Sequence, residues 1–515
     1  MRVLLTGVFV LALAACGGHP AESDGGHPKS VVDAGSHSTG TTDGGSDGGA
    51  SDAGVPDAGV PDAGSPDAGS PDAGTLSFGG GDWSYYRGDL LGTWDHPGTL
   101  TAADGRTATL LWSASLGAYG LTQPMLAGGA VYVATGFDAR VVKLDAATGA
   151  VLWEKDFDHV FTPTPPCSSQ GSHTGFFAAP AVVGDTVYAA APDGRFYALA
   201  ASDGAVRWSV QVADPSLEAH DEFVESSPSR PDSKGRIYLG IASVYGCDPV
   251  VGKVLAVDVN SHTVQSQPIT DGGLGGASVW SSIAVEDTAR RLFVSTGDPA
   301  GHALDTLPFS QAILRMDADT LEVQDHWQNP TPPPSADSDF GASPTLFQAS
   351  DGTPLVAAPN KDGWLYAFNR DDLAAGPRWT YALAQGGDPM QGFGSLAAPT
   401  FAQGRLYAAG GRTLDGKPGS VVALDPGTGA VLWRHDPPGY VMPAMPAVGD
   451  VLVVASNAAN NNSSTLELLD LVTGEVLAHF EAGSPTYGAP SIGHGLILWS
   501  TFDGTLRAIQ MHPTP

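Results

Sequence analysis

Residues 421–433 read VVALDPGTGAVLW and residues 141–153 read VVKLDAATGAVLW. Each is a short apolar run, an Asp, a turn ending in Gly, then an apolar pair and a Trp. Looser copies are YALAASDGAVRW (197–208), VLAVDVNSHTVQS (254–266), ILRMDADTLEVQDHW (313–327), LYAFNRDDLAAGPRW (365–379) and LELLDLVTGEVLAHF (466–480). A recurrence every fifty or so residues marks a repeat architecture, in which each unit buries its apolar face against its neighbours. The runs are short, rich in Val, Leu, Tyr and Ala, and punctuated by Asp-Gly, Thr-Gly and Pro-Gly, so they predict strands and turns rather than helices. Second strand signals lie between the Trp phrases: AVYVATG (130–136), TVYAAAP (186–192), RIYLGIA (236–242), RLFVSTG (291–297), RLYAAGG (405–411) and LILWSTF (496–502). Several strands per unit, repeated radially, is the β-propeller solution to exposed sheet edges.

Trp112, Trp153, Trp208, Trp327, Trp379 and Trp433, with Ser266 and Phe480 at the equivalent places, make eight stations. The chain ends in TFDGTLRAIQM, a unit without its Trp strand, and the body begins with LLWSASL (110–116), a Trp strand without its unit. One blade completed by both chain ends closes an all-β, eight-bladed propeller of Trp-docking repeats over residues 81–511, followed by a tail, 512–515. The stationed Trp residues are expected to pack between blades. With 24 Lys and Arg against 55 Asp and Glu, the formal charge is −31, which excludes nucleic acid or an anionic membrane surface as an electrostatic partner.

Residues 1–15 read as an export signal: Met1 and Arg2 precede an apolar run too short to span a bilayer. The run ends in Leu13-Ala14-Ala15-Cys16, which resembles the bacterial lipoprotein box, with Cys16 the acylated first mature residue. Residues 16–80 are rich in Gly, Ser, Asp and Pro and include VPDAGVPDAGSPDAGSPDAG. Such a segment buries too little apolar area to offset its ordering entropy and is expected to be a disordered tether. The expected location is the cell envelope, outer membrane or periplasm, with the membrane reached through the lipid alone. Cys167 and Cys247 remain, and in an oxidising compartment they are disulfide candidates.

The phrase DGGLGGASVWSSIAVEDTARRLFVSTGD (271–298), with DWSYYRGDLLGTW (82–94), DSDFGASPTL (337–346) and NKDGWLYAFNRDD (360–372), resembles the quinoprotein dehydrogenases, closest to the polyvinyl alcohol dehydrogenase branch. That resemblance implies an eight-bladed propeller holding pyrroloquinoline quinone (PQQ) and a calcium ion and oxidising alcohols. It implies Trp280 as the indole beneath the quinone, and Asp298, eighteen positions on, as a calcium ligand. It implies Asp339 in Ser338-Asp339-Phe340 as the general base and Lys361 as the cation at the quinone oxygens. The family's calcium-binding Glu, sought after RIYLGIAS, has no counterpart there, Asp248 being the nearest carboxylate. Cys167-Ser168 stands where a Cys pair is expected, with His173 the nearest basic group. With no CxxCH there is no attached c-type haem, and electrons would leave through a separate acceptor.

Two classes of function follow. One is a lipid-anchored PQQ-dependent alcohol dehydrogenase. The other is a non-catalytic propeller that binds protein partners through its loops, like the lipoprotein scaffold of the outer-membrane β-barrel assembly machinery. Fold alone does not separate them.

Overall fold

The computed structural model describes residues 81–117, 119–157, 175–214, 222–243, 250–270, 274–299, 304–330 and 338–512. The Cys16 signal and tether, Cys167, Cys247, His173 and Asp248 lie outside the described residues.

Eight antiparallel sheets follow one another around a ring, and the fold is an eight-bladed β-propeller. In chain order the blades span 125–156, 181–211, 222–268, 284–328, 345–382, 400–435, 447–482 and 491–510, numbered one to eight below. Blade seven carries the added short strand Asp95–His96. Blade eight is completed from the other end of the chain: Thr109–Ser115 pairs antiparallel with Thr505–Gln510, Trp112 opposite Ala508. Within each blade the first strand is innermost, since the first strands of neighbouring blades touch. The middle strands, such as Ala130–Ala134 and Leu496–Ser500, are buried at every residue. They lie between two neighbouring blades, which is why they read as continuous apolar runs without alternation.

The repeated phrase has a mechanical reading. Its Asp closes the turn: Asp145 Oδ1 accepts from the Ala147 and Thr148 amides and the Thr148 hydroxyl, and Asp425 and Asp470 repeat the arrangement. Its Trp docks on the next blade. Trp112, Trp153, Trp379 and Trp433 donate their indole N–H to Ala146, Ala201, Pro426 and Leu471 carbonyls at 2.8–3.2 Å. Each ring then lies on the turn glycine, Gly149, Gly204, Gly429 or Gly474, where a Cβ would stand 2.6–3.0 Å from an indole atom. These glycines also hold φ of 72–74°, so both their backbone and their missing side chain are required.

Residues 83–94 run along the inner edge of the ring. Carbonyls of Trp83, Ser84, Leu90, Leu91, Thr93 and Trp94 accept from the first strands of blades one, two, four, five, six and seven. Buried Arg87 bonds the Pro344 and Ile283 carbonyls. The segment thereby satisfies edge N–H groups that the ring would otherwise leave open.

Candidate functional site

Each blade is entered through an inner residue, most often followed by Pro: Gln123-Pro124, Ala179-Pro180, Ser227-Pro228, Ser282-Ile283, Ser343-Pro344, Ala398-Pro399 and Ala489-Pro490 among them. Three of these serines stitch neighbouring blades: Ser227, Ser282 and Ser343 Oγ accept from the amides of Ala179, Ser227 and Ser282 at 2.9–3.0 Å. In extended chain, side chains two residues apart share a face. The residue two positions earlier in every blade accordingly lines one central cavity of about 320 Å³: Leu121, Phe177, Glu225, Trp280, Gly341, Leu396, Met442 and Tyr487. The volume lies within the range of small-molecule sites. Phe137, Phe176, Phe502 and Met390 make the rest of the wall largely apolar.

Trp280, which lines this cavity, meets two other expected residues. Trp280 Nε1 donates to Asp339 Oδ2 at 3.3 Å, Lys361 Nζ stands 2.8 Å from Asp339 Oδ1, and the same ammonium lies 4.9 Å from the centre of the Trp280 ring. Local backbone brings this about. Asn360, fully buried, donates its side-chain amide to the Ser338 carbonyl at 2.7 Å, and the Lys361 amide donates to the Asp339 carbonyl at 3.2 Å. The 360–363 turn, closed by Asn360 Oδ1 accepting from the Asp362 amide and by Gly363 at φ 90°, is thus strapped to the 338–339 segment. Phe340, fully buried, anchors that segment in a core cluster with Ile313 and Phe368.

Trp280 has room because blade five contributes Gly341 to the ring. A Cβ there would stand 2.2 Å from Trp280 Cη2 and 2.5 Å from Leu396 Cδ2, with rigid groups on both sides. Gly341→Ala is expected to cost about 1–3 kcal/mol by overpacking and to turn the indole away from Asp339. Thermal melting checks the first effect; unchanged stability with an unchanged fluorescence spectrum would mean that the indole is not held there.

Asp298 follows the strand Arg291–Ser295 and joins a different partner: Gln311 Nε2 donates to its Oδ1 at 2.6 Å. Among the described residues, no three His, Cys, Asp or Glu side chains gather as a metal ion requires. Calcium takes six to eight oxygen ligands, and the described donor set does not fit it. A quinone fits better: Trp280 supplies a flat aromatic surface, Lys361 a cation, and Ser281 lines the cavity with a buried hydroxyl that has no hydrogen-bond partner among the described residues.

Glu225 is the residue the sequence reading missed. It belongs to the segment before RIYLGIAS, whereas the expected Glu was sought after it. Its place in blade three is that of Trp280 in blade four, two residues before the inner Ser, and that spacing is the signal that would have found it. Burial pushes its carboxyl up to about 8 from 4.5, with the Lys361 charge opposing and the Asp339 charge adding. The native state therefore keeps a proton that the unfolded chain releases near pH 4.5, so stability falls as pH rises from about 4.5 to 8. Glu225→Gln should flatten the melting temperature across that window and melt higher than the parent at pH 8. Smaller slopes should remain from Asp95, raised by burial to about 6, from Asp362, also raised by burial, and, with the opposite sign, from His96, lowered by burial. Melts at several pH values check this, and an unchanged slope would refute it.

A family model described as outer membrane protein assembly factor BamB, PQQ_2, matches residues 65–340 and 417–512, more than half of the chain. The chain belongs to the PQQ_2 family. Among curated relatives, this PQQ_2 propeller is 29% identical over 314 residues to the quinohemoprotein alcohol dehydrogenase ADH IIB of Pseudomonas putida, covering 53% of this chain and 43% of the relative. It is 23% identical over 470 residues to the quinoprotein alcohol dehydrogenase PedH of Pseudomonas putida, covering 72% and 76%. With the polyvinylalcohol dehydrogenase of a Sphingopyxis species it shares 24% identity over 391 residues, 67% of this chain and 51% of the relative. Against the first and third of these the PQQ_2 propeller spans about half of the relative's length. Its fold matches the quinohemoprotein alcohol dehydrogenase from Comamonas testosteroni with a TM-score of 0.65 at 16% identity, covering 86% of this chain and 82% of that one. A europium-containing methanol dehydrogenase matches at 0.67 and 15%, covering 84% and 98%. The homologues of the PQQ_2 propeller are thus quinoprotein alcohol dehydrogenases.

Proposed function

We propose that this propeller is a quinone-dependent oxidoreductase that dehydrogenates an alcohol in its central cavity. The observation that supports it is the convergence of Asp339 and Lys361 on Trp280, which itself lines that cavity. A folding role needs no carboxylate buried between an indole N–H and an ammonium, because burying charge is costly. When bound, the quinone would supply the two-electron acceptor. Trp280 then presents its ring to the planar ligand. Asp339 takes the hydroxyl proton of the alcohol at its carboxylate. Lys361 keeps positive charge where negative charge grows during the reaction. The apolar wall excludes water from the reacting atoms. Calorimetry with PQQ tests the reading: heat at micromolar quinone supports it, and its absence removes it.

A non-catalytic scaffold is the second reading, and one observation favours it. Among the described lining residues there is no Arg, Lys or His, so the wall itself offers a polycarboxylate quinone no basic side chain, Lys361 standing behind Trp280.

The site's location rests on Cys16. Among the described residues no helix is long and apolar enough to cross a membrane, and attachment is assigned to acylation of Cys16 after Leu13-Ala14-Ala15. Cys16→Ser should move the protein from the membrane to the soluble envelope fraction. Palmitate labelling that persists in the variant would refute the anchor.

A further inference from the structure

The central carboxylate of the site is paired with an ammonium. Lys361 Nζ lies 2.8 Å from Asp339 Oδ1, and its side chain is largely buried. Glu225 lies in the electrostatic reach of both Lys361 and Asp339. Asp298 is turned onto Gln311. Asp339 is already paired with the Lys361 ammonium, which weakens the attraction of this carboxylate for a divalent cation. A calcium ion at Asp339 would also stand beside a like charge in a poorly hydrated place, where charge repulsion is strong.

We propose that Lys361 is the resident cation of this site, taking beside Asp339 the part that a divalent metal ion would play, so that the cavity operates without calcium. The inference deepens the quinone reading by removing the metal from the chemistry assigned to the cavity. Its test needs no quinone, so the two fail separately. Lys361 is here a positioning and charge-balancing residue, and removing it should uncover a metal affinity that the wild type lacks.

The full chain would be titrated with calcium alone, and with terbium alone, reading binding heat, terbium emission sensitised by Trp280, and melting temperature in EGTA against millimolar calcium. The wild type is expected to show no heat, no sensitised emission and no shift. Lys361→Met, close in length and uncharged, is expected to melt lower in EGTA and to regain melting temperature with calcium, binding one ion. Lys361→Arg should stay calcium-insensitive. Wild-type binding of one calcium at micromolar concentration, reversed by EGTA and lost in Asp298→Ala, would overturn the proposal. So would a folded Lys361→Met that gains no response to either ion. If Lys361→Met does not fold, the wild-type and Lys361→Arg titrations decide: a calcium response in either overturns the proposal, and none in both supports it.

Discussion

Asp339→Asn should leave quinone binding in place and lower turnover by roughly 10²-fold or more. The amide has the shape of the carboxylate and still offers an oxygen to the Trp280 indole N–H, which reaches Asp339 at 3.3 Å. The strap through Asn360 and the Lys361 amide uses the main chain of residues 338 and 339, so the backbone should stay where it is. What disappears is the carboxylate that the proposed reaction uses to accept the hydroxyl proton. Loss of its negative charge also removes the carboxylate that stands 2.8 Å from the Lys361 ammonium. An anionic quinone should then bind at least as tightly, which separates this variant from one that merely disrupts the site. Dye reduction by alcohols in quinone-reconstituted protein measures the turnover, and calorimetry measures the binding. An asparagine variant with full turnover would remove Asp339 from the role of base.

Deleting residues 497–515 should abolish cooperative unfolding altogether. The deletion removes Thr505–Gln510 and most of Leu496–Ser500, leaving Thr109–Ser115 without a strand partner. It also takes away Leu498, Trp499, Leu506, Ala508 and Ile509, all with no exposed surface. Loss of one such aromatic side chain costs about 3–5 kcal/mol, against a total stability of about 5–15 kcal/mol for an ordinary domain. A ring with one blade opened also exposes the faces of blades one and seven. Circular dichroism during heating is the check: a sharp transition near that of the full chain would mean that the ring does not depend on this closure.

The local repeat was legible because its physics is local. Asp, Thr and Gly close a turn within a few residues, and the Trp that follows docks on the next turn of the same kind. The eight stations counted along the chain, including the substituted Ser266 and Phe480, all fall on the outermost strands of eight blades. The closure was legible too, since a Trp strand without a unit and a unit without a Trp strand can satisfy their backbone groups only by pairing. Strands such as Pro354–Pro359 and Val451–Asn457 carry weaker versions of the same signal and escaped it.

The site is a different matter. Trp280, Asp339 and Lys361 stand out in phrases far apart in the chain, but only the ring brings an indole, a carboxylate and an ammonium within bonding distance. The same spacing that marked Asp298 as their companion says nothing about Gln311, which holds its carboxylate. Glu225 shows the limit most plainly. In DEFVESSPS it reads as one more acid in an acidic chain, and Gly341 as one more small residue before a strand. Sequence by itself determined the blades, their number and their closure, because those rest on contacts between residues near in the chain or repeated at a fixed period. Which side chains meet at the axis was decided by tertiary structure alone, because eight blades must first be placed radially before Gly341 can leave space for Trp280 and before burial can change the charge of Glu225.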